Sequence, residues 1–311
     1  MTRTDANAMS PFAWGLLFLL GLLWGGSFFF ARIAVFSIPP MTLVLLRLSI
    51  AAIALHLYIF GRFGIYPVLR RGWKSFLLLG LINNAIPHTL LFYGQTEIGA
   101  GLASILNATT PIWTILLAHL LTADEKLTGA RIAGALIGLA GCAVLVGPGL
   151  TLDAGVPGWA LALPVLAAMS YGLAAIFSRS FRSTPAPVIA AGQLTASSLI
   201  MMPAALVMDH PWQLPLPPTS AILSVLGLAL ASTAFAYILF FRIIRLAGAT
   251  NASLVTLLVP ASAILLGSLF LGERLEMHEV AGLVLVAFGL LSIDGRIWVL
   301  TQRRFLHKKR P

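Results

Sequence analysis

Ten apolar runs, each about 20 residues long, occupy most of this chain. As an α-helix, a run of that length crosses the ~30 Å hydrocarbon layer of a bilayer. The runs fall near 12–32, 40–60, 74–95, 100–121, 129–147, 157–178, 187–208, 220–241, 249–271 and 278–298. They are too long for strands and lack a strand's alternation of apolar and polar residues. Charged residues make up 10% of the chain and apolar residues 59%, whereas a soluble domain carries about 25% charged residues. Too few polar groups remain to cover a soluble surface, so lipid must be the main solvent. The expected fold class is an all-α membrane protein of ten transmembrane helices. Pro11, Pro40, Pro157 and Pro187 stand at or near predicted helix starts, where a missing N–H costs nothing. The first run exceeds the ~7–15-residue apolar core of a signal peptide and is read as a retained helix.

The net charge of +10 and the pI near 10.6 would suit a nucleic-acid partner, but the positions of the cations argue against one. With the N-terminus placed in the cytoplasm, seventeen of the twenty Lys and Arg residues fall on that side. They are Arg3, Arg62, Arg70, Arg71, Lys74, Lys126, Arg131, Arg179, Arg182, Arg242, Arg245, Arg296, Arg303, Arg304, Lys308, Lys309 and Arg310. Only Arg32 and Arg274 fall opposite, and Arg47 lies within a span. This positive-inside bias sets both termini in the cytoplasm and supports the helix count. One cysteine, Cys142, excludes an intrachain disulfide, and no Cys/His cluster has metal-ligand spacing. Neither a metal nor a cofactor is expected.

The chain repeats itself. Trp24-Gly25 precedes Arg32 at the offset by which Tyr171-Gly172 precedes Arg179. Pro39 precedes Arg47-Leu48 as Pro185 precedes Gln193-Leu194. Ala103-Ser104 stands before Pro111 as Ala252-Ser253 stands before Pro260. Glu125-Lys126-Leu127 and Glu273-Arg274-Leu275 follow, and then the pairs Gly134, Gly141 and Gly282, Gly289. The expected units are a first five-helix repeat over 12–147, a second over 157–298 and a basic cytoplasmic tail over 299–311. Five is odd, so the second half enters the membrane from the opposite side. This is the inverted repeat of many secondary transporters, in which substrate binds near the midplane between the halves.

Trp24-Gly25-Gly26-Ser27-Phe28 and the repeated Ala-Ser…Pro…Glu-Lys/Arg-Leu pattern resemble the drug/metabolite transporter superfamily, in its ten-helix EamA-type branch. The resemblance covers residues 12–298. It implies a bacterial inner-membrane exporter of small metabolites, similar to amino-acid exporters, with no enzymatic activity. Its partners would be a small-molecule substrate and membrane lipid, without nucleic acid, and a working monomer is compatible with it. Multidrug or organic-cation export is the alternative cargo. An integral membrane enzyme acting on lipid is the alternative class, although no convincing catalytic cluster supports it. No Gly-x-x-x-x-Gly-Lys-Ser/Thr loop marks an ATP-driven pump.

Polar side chains at lipid depth face a cavity or a neighbouring helix. Asn84, His88 and Gln95 fall on one face of the third helix, with Asn83 beside them and Pro87 predicted to kink it. They read as a cavity-lining stripe, or else as hydrogen bonds between helices. Ser104, Asn107 and Thr110, with Ser253 and Thr256 in the second half, flank Pro111 and Pro260. These two prolines, with Pro87, are the candidate hinges. Trp24, Tyr93, Trp113, Tyr171 and Tyr237 are candidate cavity aromatics, whereas Trp14, Trp73, Trp159 and Trp298 read as interfacial anchors. Arg47 sits ~12 Å into its helix. It reads either as the anchor for a substrate carboxylate or as a structural partner of a neighbouring carboxylate or carbonyl. No acidic residue lies clearly at mid-membrane, which leaves His88 as the protonatable candidate or transport uncoupled. Uncoupled transport or exchange is the expectation.

Overall fold

The structure, a computed structural model, describes residues 9–60, 65–146, 156–262 and 277–294. All regular structure among them is helical. Helix α1 is Pro11–Val35, α2 Pro40–Ile59, α5 Gly129–Val146, α6 Gly158–Phe177, α7 Ala186–Met208 and α10 Met277–Asp294. Helix α3 runs as Ile65–Gly80, a π turn Leu81–Ala85, and Ile86–Glu97. Helix α4 is split into Ala100–Asn107 and Thr110–Leu121. Helix α8 begins as Thr219–Ala229, passes through a second π turn, Leu230–Phe235, and continues into the stretch Ala236–Ser253. Gly248, at φ 86° and ψ 170°, breaks that stretch, so α8 ends before it. Helix α9 follows over 249–262, with a turn at Leu254. Glu273, Arg274, Leu275 and the predicted tail lie outside the described residues.

Proline starts the helices as expected: Pro11 and Pro40 occupy first positions, and Ser10 caps α1 by accepting from the N–H of Ala13. Helix α3 begins nine residues before the predicted 74. Its first turns, Ile65-Tyr66-Pro67-Val68-Leu69-Arg70-Arg71, are amphipathic rather than uniformly apolar, so hydropathy did not mark them. Their apolar side packs on α7, where Leu69 and Phe76 crowd Gly192.

The packing is two-fold. Helix α3 lies on α6 as α8 lies on α1, and α3 on α7 as α8 on α2. Helix α2 pairs with α7, and α5 with α10, which are corresponding helices of the two halves. Glycine sets the closest approaches. A Cβ on Gly25 of α1 would fall 3.1 Å from the Val259 carbonyl of α9, and one on Gly172 of α6 would fall 3.0 Å from the Thr114 nitrogen of α4. The Trp-Gly and Tyr-Gly pairs of the sequence are thus contact points that bring their aromatic neighbours against the opposite half. Gly134, Gly138 and Gly141 pack on Gly282, Val286 and Gly289, so these glycines join α5 to α10 within one chain.

Candidate functional site

The π turns organise the centre. A π turn inserts a residue into the helix, rotating everything before it by about 100°, and loosens the hydrogen-bond ladder. In α3 the Ile86 N–H reaches back to Leu81, and Pro87 has no N–H to give. Two carbonyls are left over at lipid depth, where unpaired backbone is costly. Ser170 of α6 donates to the Ile82 carbonyl at 2.6 Å, and the Tyr237 hydroxyl of α8 donates to the Asn83 carbonyl at 3.1 Å. In α8, Ser232 donates from the second π turn to the Leu23 carbonyl of α1 at 2.6 Å. Each turn is therefore tied to the other half.

Side chains on α2 and α7 complete the ties. Asn83 donates to Gln193 at 2.9 Å, and Asn84 donates to Ser197 at 3.0 Å. In the other half Arg47 donates to the Thr233 hydroxyl at 2.7 Å and to the Ser232 carbonyl at 3.4 Å. Arg47 and Gln193 thus do the same work from repeat-equivalent positions. Arg47 bonds both a neighbouring hydroxyl and a neighbouring carbonyl. Its guanidinium nevertheless lines the cavity, lies 5.8 Å from the Phe92 ring centre and has no carboxylate partner among the described residues.

The cavity lies between α1, α2, α3, α4, α6, α8 and α9. Its wall comprises Trp24, Ser27, Phe28, Ala31, Arg47, Asn83, His88, Leu91, Phe92, Gln95, Asn107, Thr110, Tyr171, Ala175, Tyr237, Phe240, Ser253, Val255, Thr256 and Val259. About 60 Å³ is open to the centres of water molecules, room for a few waters side by side. The aromatic lining repeats. Tyr171 meets His88 edge-on at 6.2 Å and Trp24 meets Tyr237 edge-on at 6.2 Å. His88 stacks on Phe92, and Tyr237 on Phe241. Chemistry breaks this symmetry at three places: Arg47 against Gln193, His88 against Tyr237, and Asn107 against Thr256. His88 Nδ1 and Asn107 Oδ1 are buried without a hydrogen-bond partner, a costly state unless a ligand or water completes them.

Six of the nine predicted substrate contacts line this cavity: Trp24, Arg47, Asn83, His88, Tyr171 and Tyr237. Asn84 does not, because the inserted residue of the π turn swings it toward Ser197 of α7 and puts Asn83 in its place. Tyr93 is five residues beyond His88, about 140° around the helix, and lies outside the lining. Trp113 lies outside it as well, its Cβ placed against Gly172 between α4 and α6. Of the candidate hinges, Pro87 follows the π turn and Pro111 follows the break at Ala108-Thr109, where the Thr110 hydroxyl takes the Asn107 carbonyl at 2.6 Å. Pro260 lies within an unbroken described stretch, 255–262. Sequence reasoning missed the Ser232–Thr233 pair that holds Arg47. Its separation from Asn83-Asn84 equals that of Pro111 from Pro260, and this was the available signal.

Among known proteins, the pattern of the EamA-like transporter family matches the chain twice, over residues 12–147 and 158–293. The chain is 25% identical over 275 residues to the uncharacterized transporter YoaV of Bacillus subtilis, covering 86% of this chain and 92% of that protein. It is 27% identical over 281 residues to the uncharacterized inner membrane transporter YedA of Escherichia coli K12, covering 90% and 89%. A probable terminal-alkyne amino-acid exporter of Streptantibioticus cattleyicolor is 25% identical over 290 residues, covering 93% and 95%. One solved crystal structure superposes with a TM-score of 0.73 at 22% identity over 90% of this chain and 96% of its own, a likeness of fold.

Proposed function

The chain belongs to the EamA-like transporter family of the drug/metabolite transporter superfamily, and on that premise we propose that it exports small carboxylate-bearing metabolites, foremost amino acids with apolar side chains, by alternating access. It is a multi-pass membrane transporter. The observation that carries the finer reading is Arg47. Only 5% exposed, it keeps a guanidinium at the wall of an aromatic cavity with no described carboxylate to neutralise it. A cation at membrane depth costs about 2.5–3.5 kcal/mol on the insertion scale, and an incoming carboxylate offsets that cost through charge-assisted hydrogen bonds. The aromatic faces around it suit an apolar side chain. Asn107 Oδ1 is an unfilled acceptor for an ammonium or hydroxyl on the same ligand, and His88 Nδ1 is a second unpartnered polar atom in the same wall. The described lining contains no acidic side chain, which disfavours a purely cationic cargo. The likeness to a probable amino-acid exporter of Streptantibioticus cattleyicolor supports an amino-acid cargo, and the likeness to the inner membrane transporter YedA supports a bacterial inner membrane.

The test is counterflow in proteoliposomes. Vesicles loaded with an apolar amino acid should accumulate the same labelled compound, while the matching amine without a carboxylate should not exchange. Equal exchange of the amine, or no exchange of any carboxylate in a broad panel, overturns the cargo reading.

A further inference from the structure

Three distant segments meet at the end of the bundle formed by the α4–α5, α6–α7 and α8–α9 connections. Glu125, just after α4, places its carboxylate on the start of α9. It accepts from the backbone N–H of Ala249 at 3.3 Å and of Thr250 at 3.1 Å, and from the Thr250 hydroxyl. A helix start offers unpaired N–H groups and the positive end of the dipole, so a carboxylate is held firmly there. Arg179, in the turn Ser178–Phe181 that ends α6, approaches the same carboxylate at 3.4 Å, as an ion contact rather than an aligned hydrogen bond. It also pairs with Asp124. Gly248 is required on two counts. Its φ of 86° disfavours other residues, and a Cβ there would fall 2.9 Å from Glu125 Oε1.

This knot sits one helical turn beyond the cavity. Ala175 and Ser253 line the cavity, with Arg179 four residues past the one and Thr250 three residues before the other. It ties the first half to the second at that end. Those of the corresponding residues at the opposite end that are described, Arg32 and Gly99, are arranged differently. Arg32, the counterpart of Arg179, donates to the carbonyls of Gln95 and Ile98 within its own half. Gly99, the counterpart of Gly248, has φ −66°, and among the described residues nothing lies within 4 Å of a Cβ placed on it.

We infer that Glu125 is a latch that holds the cavity shut at this end, and that its release from the start of α9, with Gly248 as the hinge, opens the cavity there. Arg179 is the positioning residue that keeps the carboxylate aimed. The two repeats occupy unlike states at equivalent glycines, as expected when opposite-facing halves trade conformations to alternate access. The inference rests on the transporter reading and is independent of the cargo.

The test needs no substrate. The full chain carries Thr256→Cys as a reporter in the cavity wall, since the native Cys142 is fully buried. It is placed in vesicles with the latch end outward and treated with a membrane-impermeant maleimide. Glu125→Gln keeps the size but loses the charge and should label about tenfold faster, the ratio expected on losing charge-assisted bonds. Gly248→Ala, which displaces the carboxylate, should do the same, and Arg179→Gln should label about threefold faster. Arg70→Gln, exposed at the same end, should label at the parent rate. Parent-rate labelling in Glu125→Gln and Gly248→Ala at unchanged melting temperature overturns the latch. If Glu125→Gln does not fold, Gly248→Ala and Arg179→Gln decide on the same readout.

Discussion

At the scale of single residues, the site is defined by where the repeats disagree. A frame shared by both halves can hold a cavity open, but it cannot tell one end of a ligand from the other. Arg47 breaks the frame with a charge that its counterpart Gln193 lacks. Arg47→Gln therefore keeps a side-chain donor for the Thr233 hydroxyl and removes only the guanidinium. Carboxylate exchange should weaken about ten- to a hundredfold in apparent affinity, the ratio for losing a hydrogen bond to a charged group. The amount of folded protein should stay at the parent level; unchanged affinity would return Arg47 to a purely structural role. Asn107→Leu removes an unfilled acceptor without stranding a partner. It should impair amino acids more than the corresponding deaminated acids, read as the ratio of their exchange rates. Outside the membrane, Arg179 donates a hydrogen bond to Asp124 and holds its carboxyl below the ordinary carboxylate value. A depressed folded value stabilises fully above the unfolded value of about 3.9, and the effect is lost as pH falls through the folded one. Asp124 is 60% exposed, so Asp124→Asn should cost under ~1 kcal/mol at neutral pH. The cost should be flat from pH 5 to 8 and vanish in stronger acid, as thermal melts at several pH values would reveal.

At the scale of elements, the decisive features are interruptions. Helices α3 and α8 each carry a π turn at the same place in the repeat, and each turn hands carbonyls to side chains of the other half. These contacts are made across the interface along which the halves would move. On the α5–α10 side the packing is glycine against glycine. A Cβ on Gly289 would fall 2.5 Å from the Gly138 nitrogen, so Gly289→Ala must push two backbones apart. It should cost about 1–3 kcal/mol in a denaturant titration, whereas Gly158→Ala, with nothing within 4 Å, should be silent. The spans among the described residues were legible in the sequence, because an apolar run of bilayer length has few other fates. The repeat-matched Trp24 and Tyr171 were legible for a related reason: equivalent positions in inverted halves converge on one axis. The register of α3 before Pro87 was not legible. Regular helical periodicity put Asn84 with His88, and one inserted residue exchanged it for Asn83. Glu125 stood out in the sequence only as part of a repeated pattern, because its partners Arg179 and Thr250 come from segments far away in sequence. Charge pairing at short range is readable, but closure across the halves is a property of the fold.

At the scale of the whole molecule, the unlike charges at the two ends of the bundle carry an expectation of which way it sits. Among the described residues, Arg70, Arg71, Lys74, Lys126, Arg131, Arg179, Arg182, Arg242 and Arg245 gather at the end that holds Glu125. The opposite end has Arg32, together with Asp209, which accepts from the N–H and hydroxyl of Thr42 at 2.6 and 2.9 Å. By the bias of cations toward the cytoplasmic side, the latch is expected inside the cell and the α7–α8 connection outside. In that orientation an exporter with its latch end tied, and its wall reaching Ala31 and Gln95 near the other end, would be closed toward the side from which it loads. Cargo capture would have to begin with Glu125 leaving α9. The orientation can be checked on intact cells with single cysteines. Leu216, 96% exposed in the α7–α8 connection, should be labelled from outside as Leu216→Cys by an impermeant maleimide. Lys126→Cys should be labelled only after the inner membrane is opened. The reverse pattern would turn the molecule over and make the latch an extracellular gate, with loading from the side that now reads as the exit.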